Sequence, residues 1–117
     1  MIDKYQGAGM KKIYLSGPMT GKPGLNHPLF NAQAARLRAL GYEVINPAEV
    51  ILTPGSSWQE CMRNAIHLLC KCDTIALLPG WADSKGAVLE CYIARETNIS
   101  VWPVQSITQP PFERRAA

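Results

Sequence analysis

The feature that most constrains the fold is an uncharged run at residues 74–78, Thr-Ile-Ala-Leu-Leu, closed by Pro79 and Gly80. A strand with one wet face alternates apolar and polar residues, whereas a continuous apolar run is typical of a strand buried on both faces. Such strands lie at the centre of parallel sheets, and parallel neighbours must be joined by crossover connections, usually helices. The rest of the chain should therefore supply both strands and covering helices.

The pattern along the chain meets this requirement. Further strands are predicted at residues 12–16, 42–45 and 100–104, and helices at 27–40, 57–71 and 86–97. Asn26 is a candidate cap for the first helix and Gly41 its C-terminal glycine. Ser57 and Glu60 fit a capping box at the start of the second helix. Strand and helix in alternation predict an α/β fold with a parallel sheet covered on both faces.

The length of 117 residues is suited to one domain. We expect residues 1–10 to be a loose N-terminal extension and residues 11–104 to be the folded domain. Residues 105–117 contain Pro110 and Pro111 and end in charged and small residues. This tail is expected to be frayed or to lie on a neighbouring subunit.

Composition argues against several classes of protein. The net charge of +3 is small and scattered, so no nucleic-acid polymer is expected as a partner. No apolar run approaches the roughly 18 residues of a membrane span, and no secretion signal is evident. Cys70 and Cys72 lie near His67, but no fourth zinc ligand stands at suitable spacing. We expect a cytoplasmic protein with reduced thiols, no metal and no cofactor.

In parallel sheets ligands bind beyond the carboxyl ends of the strands, which directs attention to the loops at residues 16–26 and 79–86. The first loop contains Ser16, Gly17, Pro18 and Met19. It matches neither a dinucleotide fingerprint nor a Walker loop. From the residues alone it is either a plain turn or a ligand loop.

The second loop carries more chemistry. Trp81 could stack on a base or simply cover the edge of the core. Ser84 precedes the third helix, where the N–H groups of Gly86 and Ala87 could bind an anion. Ser84 could equally be only a helix cap. Asp83, in the same loop, is the acid nearest to this helix end.

Glu90 lies one turn into the third helix. Its neighbours at helical spacing are small or apolar, and none is basic, so it lacks an ion-pair partner on its own helix. One interpretation is an exposed glutamate favoured by the helix dipole. The other is a reacting carboxylate, kept ionised by the same dipole and reached by a ligand across small side chains.

Residues 12–21, 41–47 and 72–90 together resemble a family of short, uncharacterised proteins from phages and mobile elements, the DUF4406-like proteins. These belong to the nucleoside 2-deoxyribosyltransferase-like superfamily. The resemblance extends over residues 11 to 102, and its most specific part is Gly-Trp-x-x-Ser-x-Gly-Ala-x-x-Glu, ending at Glu90. It implies a flavodoxin- or Rossmann-like three-layer sandwich with four to five parallel strands. It also implies a homodimer or higher homo-oligomer.

The resemblance further implies a mechanism on a nucleoside or nucleotide substrate. Glu90 would attack C1′ of a (deoxy)ribosyl group and expel the base, and water or a second base would resolve the glycosyl ester. Tyr14 would orient Glu90, although a tyrosine in a buried strand could also be plain core. Ser84 stands where superfamily enzymes acting on 5′-monophosphates tend to carry serine.

The expected substrate is therefore a nucleoside 5′-monophosphate. Its sugar and phosphate would meet Ser16, Ser84, Gly86 and Ala87, with Lys22 and Lys85 as possible helpers. Gly17, Pro18, Met19, Trp81 and Asp83 complete the expected binding residues.

One departure from the superfamily pattern opens an alternative. Ala65 stands where superfamily enzymes often carry an aspartate, so the acid that protonates the leaving base is missing or is supplied by Asn64, by Asp83 or by a neighbouring subunit. The alternative is a non-catalytic nucleotide-binding or interaction module on the same fold.

Overall fold

The computed structural model describes residues 10–111. Its strands and α-helices alternate in the order β1 (Lys12–Ser16), α1 (His27–Ala39), β2 (Glu43–Ile45), α2 (Trp58–Leu69), β3 (Thr74–Leu77), α3 (Lys85–Glu96), β4 (Ser100–Pro103). Short 3-10 turns lie at Pro23–Asn26, Pro47–Glu49, Trp81–Asp83 and Val104–Ser106. Each predicted strand and helix is present, with ends that differ from the predictions by at most two residues. No helix within the described range is long and apolar enough to span a bilayer.

The four strands form one parallel sheet in the order β2-β1-β3-β4. Tyr14 of β1 is paired with Ile45 of β2 on one side and with Ile75 of β3 on the other. This order places β1 and β3 at the centre and corresponds to the flavodoxin-like doubly wound arrangement. The predicted α/β three-layer architecture is confirmed, with four strands among residues 10–111.

The two faces of the sheet bury different sets of side chains because successive strand residues point to opposite sides. Ile13 and Leu15 face a core built with Phe30 and Leu37 of α1. Tyr14 points the other way, into a core closed by α2 and α3. Helices on both faces therefore shield the central strands, as the apolar run in β3 requires.

The helix ends follow the predicted signals with one exception. Ser57 and Glu60 form the reciprocal capping box at α2, and Gly41 follows α1 with a φ of 110°. Asn26 stands at the N-cap position of α1 but does not cap it through its side chain. Its φ of 62° turns it into a left-handed conformation, and its side-chain amide donates to the Pro18 carbonyl at 2.8 Å. Asn26 thus fastens the first loop instead of the helix.

Both predicted domain boundaries need correction. Met10, assigned to the N-terminal extension, is buried in the α1-side core, while residues 1–9 lie outside the described range. At the other end Ile107 is buried in the same core, and the Arg36 guanidinium donates to the carbonyls of Val104 and Ile107. The first part of the tail therefore belongs to the domain; residues 112–117 lie outside the described range.

Candidate active site

The centre of the site is the carboxylate of Glu90 between two hydroxyl groups of β1. The hydroxyl of Tyr14 donates to Oε2 at 2.8 Å, and that of Ser16 donates to Oε1 at 2.6 Å. Tyr14 and Ser16 are two residues apart on one strand, so both side chains point to the sheet face that α3 covers. Because every second residue of β1 points to this face, Tyr14 and Ser16 together hold both oxygens of the Glu90 carboxylate.

Burial and hydrogen bonding act on Glu90 in opposite directions. Only 7% of the residue is exposed, and loss of solvation raises the pKa of Glu90 above its ordinary value. The hydrogen bonds from Ser16 and Tyr14 stabilise the ionised form and oppose this rise. The interpretation of Glu90 as an exposed glutamate is wrong.

Tyr14 remains a hydrogen-bond donor throughout the physiological range. Its burial, and then the neighbouring Glu90 carboxylate, raise the pKa of Tyr14 far above the ordinary value near 10. A phenol that keeps its proton can donate it to the Glu90 carboxylate, as Tyr14 does. The expected contact between the two residues is present.

A cavity of about 270 Å³ opens onto this carboxylate. Its wall is mainly apolar, and Glu90 is the only carboxyl group among the described residues that line it. A mostly apolar pocket with a few convergent polar groups is the usual form of a small-molecule site. The arrangement suits a ligand with a flat apolar part and a reacting centre close to Glu90.

Most of the predicted binding residues line the cavity, and three do not. Those on its wall are Ser16, Gly17, Met19, Ser84, Gly86 and Ala87. Ser84 caps α3, where its hydroxyl oxygen accepts the N–H of Ala87 at 3.2 Å. Its own hydroxyl proton remains available to a ligand. Ser84 is therefore a helix cap and a wall residue at the same time.

Pro18, Trp81 and Asp83 lie outside the cavity lining. Pro18 packs against the turn at Gly80, which links the two loops. Trp81 is partly buried against the core between the sheet, α2 and α3. Of the two interpretations of Trp81, the structure therefore favours the one in which its side chain covers the edge of the core.

A different tryptophan lines the cavity. Trp58, the first residue of α2, stands in its wall and is 37% exposed. Val50 and Leu52, from the loop before α2, line it as well. Sequence reasoning missed these residues because it considered the loops after β1 and β3 only. The loop after β2 reaches the same edge of a parallel sheet, and this signal could have found them.

Of the two side chains considered as proton donors, Asn64 lines the cavity and Asp83 does not. Asn64 and Ala65 both line the cavity, whereas Asp83 lies in the exposed turn before α3. Ala65 thus faces the site with a methyl group, which cannot donate a proton. Among the suggested lysines, Lys22 is not a wall residue, and Lys85 contacts Trp58 from the first position of α3.

The cysteines form no visible centre of their own. All four are free thiols, and Cys70 is exposed while burial raises the pKa of Cys72 to about 12. Within residues 10–111 no group of three or more His, Cys, Asp or Glu side chains is placed to hold a metal ion.

The strand order and the site at the carboxyl edge of the sheet define an α/β protein with a flavodoxin-like fold. Eight solved protein chains match the fold. One is the 2-deoxyribosyltransferase from the psychrotolerant bacterium Bacillus psychrosaccharolyticus. It is similar with a TM-score of 0.60 and 22% sequence identity, over 77% of this chain and 69% of that one.

Residues 11–102 match a family described as a domain of unknown function, DUF4406, and the chain belongs to that family. No curated protein matches the sequence.

Proposed function

We propose that the protein cleaves the N-glycosidic bond of a (deoxy)nucleoside 5′-monophosphate, or exchanges its base, through a glycosyl ester on Glu90. The observation that carries this proposal is the carboxylate itself, buried at the cavity and held at both oxygens by Tyr14 and Ser16. A buried acid with fixed orientation and a perturbed pKa beside a pocket is a frequent mark of a catalytic site.

The first half of the reaction forms the ester. An oxygen of ionised Glu90 attacks C1′, the C1′–N bond breaks, and its electron pair leaves with the base. The departing nitrogen takes its proton from water, because no second carboxyl group lies among the described wall residues. In the second half, water or another base attacks C1′ and frees the Glu90 carboxylate.

The hydrogen bonds at Glu90 support a nucleophilic role. Tyr14 and Ser16 donate to the carboxylate and so favour its ionised form, which is the form that attacks C1′. The apolar wall, including Trp58 and Met62, would hold the base and limit access of water.

Chromatographic detection of free base tests the proposal. The substrates are the ribo- and deoxyribonucleoside 5′-monophosphates, each with its unphosphorylated nucleoside. Glu90→Ala should lower base release by about a thousandfold or more, as expected when a covalent nucleophile is removed. Glu96→Ala, which removes an exposed glutamate from the end of the same helix, is the matched control and should keep full activity. Full activity of a folded Glu90→Ala variant would falsify the assignment.

A second candidate function is a non-catalytic nucleotide-binding module. Ala65 in the cavity wall favours it, because a methyl group cannot protonate a leaving base. Nucleotides would then raise the melting temperature without any base release over long incubation. The same panel of nucleotides separates the two functions.

A further inference from the structure

The cavity wall lacks positive charge. Among the described wall residues there is no lysine, arginine or histidine, and the one carboxyl group is that of Glu90. A dianionic phosphate placed there would meet a carboxylate without a compensating cation, which costs free energy in a partly dry site. A phosphorylated ligand therefore needs a cation at the rim.

Lys85 occupies this rim. It is the first residue of α3, between the wall residues Ser84 and Gly86, and its side chain reaches across to α2. There its Nζ lies 4.0 Å from the ring centroid of Trp58, which is itself a wall residue and the first residue of α2. The contact brings a cation to the point where the N-terminal ends of two helices meet.

The spacing along α3 suits one nucleotide. Lys85 precedes Glu90 by five residues, a rise of about 7.5 Å along an α-helix. That length is comparable with the span from C1′ of a ribose to the phosphorus on its 5′ oxygen. A sugar with C1′ at Glu90 can thus bring its 5′-phosphate to the first turn of α3. The N–H of Gly86, a wall residue in that turn, has no acceptor among residues 10–111.

The lysine is free to change partner. An exposed cation–π contact changes an equilibrium by only about two- to fivefold. A charge-assisted bond to phosphate is stronger, and the flexible four-carbon stem of lysine lets the ammonium turn from ring to ligand.

We propose that Lys85 is the residue that makes the site prefer 5′-phosphorylated over unphosphorylated nucleosides, with Trp58 holding its ammonium while the site is empty. The inference rests on the proposed function and adds the residue that reads the phosphate. Lys85 takes no part in the bond changes at C1′.

Binding measurements without turnover test this role. In a Glu90→Gln background, calorimetry gives the Kd of each deoxynucleoside 5′-monophosphate and of its deoxynucleoside. Lys85→Met should lower the ratio of the two affinities by about tenfold, the scale of one charge-assisted contact. Lys85→Arg should retain most of the preference. Lys71→Met removes an exposed lysine from beyond the far end of α2 and corrects for the change in net charge.

The outcomes distinguish a failure of the role of Lys85 from a failure of the proposed function. Loss of phosphate preference in Lys85→Met, with deoxynucleoside affinity retained, supports the role of Lys85. An unchanged preference in Lys85→Met, or an equal loss in Lys71→Met, overturns it while the proposed function stands. A parent protein that binds nucleosides as well as monophosphates contradicts the proposed substrate itself, whatever Lys85 does.

Discussion

The proposed role as nucleophile places two opposing requirements on Glu90. A nucleophile at C1′ must be ionised, yet the apolar surroundings that exclude water from the reaction disfavour that charge. The hydroxyls of Tyr14 and Ser16 reduce the conflict by donating to both carboxylate oxygens. These bonds oppose the effect of burial, which still holds the pKa of Glu90 above its ordinary value.

This balance predicts a pH-dependent defect in Tyr14→Phe. Activity that needs ionised Glu90 rises as pH passes upward through its pKa, and loss of the Tyr14 donor moves that pKa further up. The acid limb of kcat/KM against pH should shift to higher pH. At neutral pH we expect kcat/KM to fall by about tenfold, because less of Glu90 is ionised and its orientation is less well fixed. This loss should become smaller in alkaline solution, where Glu90 is ionised without the help of Tyr14.

Tyr92→Phe is the matched control for this profile. Tyr92 lies on α3, two residues after Glu90, and its side chain is largely exposed. Its hydroxyl can be removed without disturbing Glu90, so its profile should overlay that of the native protein. A uniform loss in Tyr14→Phe at every pH would show that Tyr14 acts on packing and not on the ionisation of Glu90.

At the scale of elements, the strands and helices can be predicted well from the sequence, and the roles of the loop residues cannot. The apolar run of β3 and the capping box at Ser57 are local signals, and both predicted what the structure contains. From its residue type Asn26 is a candidate helix cap, and Trp81 could stack on a base or cover the core edge. The first holds a loop and the second covers a core, because tertiary contacts decide which partner a polar or aromatic side chain meets.

The candidate site shows the same limit. The position of Glu90 one turn into a helix at the carboxyl edge of the sheet could be predicted, and the cavity wall includes residues of both predicted loops. Its burial could not, because Ser16 and Tyr14 lie 74 and 76 residues away in the chain. Trp58 could have been predicted as well, since in a parallel sheet the loop after β2 ends at the same edge as the loops after β1 and β3.

Close packing at the end of β1 leads to a prediction for Gly17→Ala. A Cβ on Gly17 would stand 2.8 Å from the Cβ of Leu78, and neither atom can move without its backbone. We expect a loss of about 1–3 kcal/mol in the free energy of unfolding, the usual range for overpacking. Urea unfolding of the variant measures it.

Gly86→Ala provides the comparison. Its Cβ would meet the Sδ of Met62 at 3.2 Å, the far end of a flexible side chain that can turn aside. Alanine is also the better helix former in the first turn of α3. Gly86→Ala should therefore cost much less than Gly17→Ala, and equal losses would contradict the packing argument.

At the scale of the whole molecule, the segment after β4 closes the domain. It turns back over the sheet face that α1 covers, and Ile107 enters the core beside residues of α1. Arg36 and Tyr42 then hold three of its carbonyls, those of Val104, Ile107 and Gln109. The sequence predicts a tail that is frayed or lies on a neighbouring subunit, but one buried isoleucine and these carbonyl contacts fix its first part on the domain.

Two isoleucines of opposite exposure show whether this segment carries stability. Ile107 is 3% exposed, whereas Ile51, in the loop before α2, is 95% exposed. Ile107→Ala should cost about 2–5 kcal/mol, since it removes buried methyl groups and leaves a cavity. Ile51→Ala makes the same chemical change in solvent and should stay within about 0.5 kcal/mol. Denaturant unfolding of both variants supplies the comparison, and a cost at Ile107 no larger than at Ile51 would return residues 105–111 to the status of a dispensable tail.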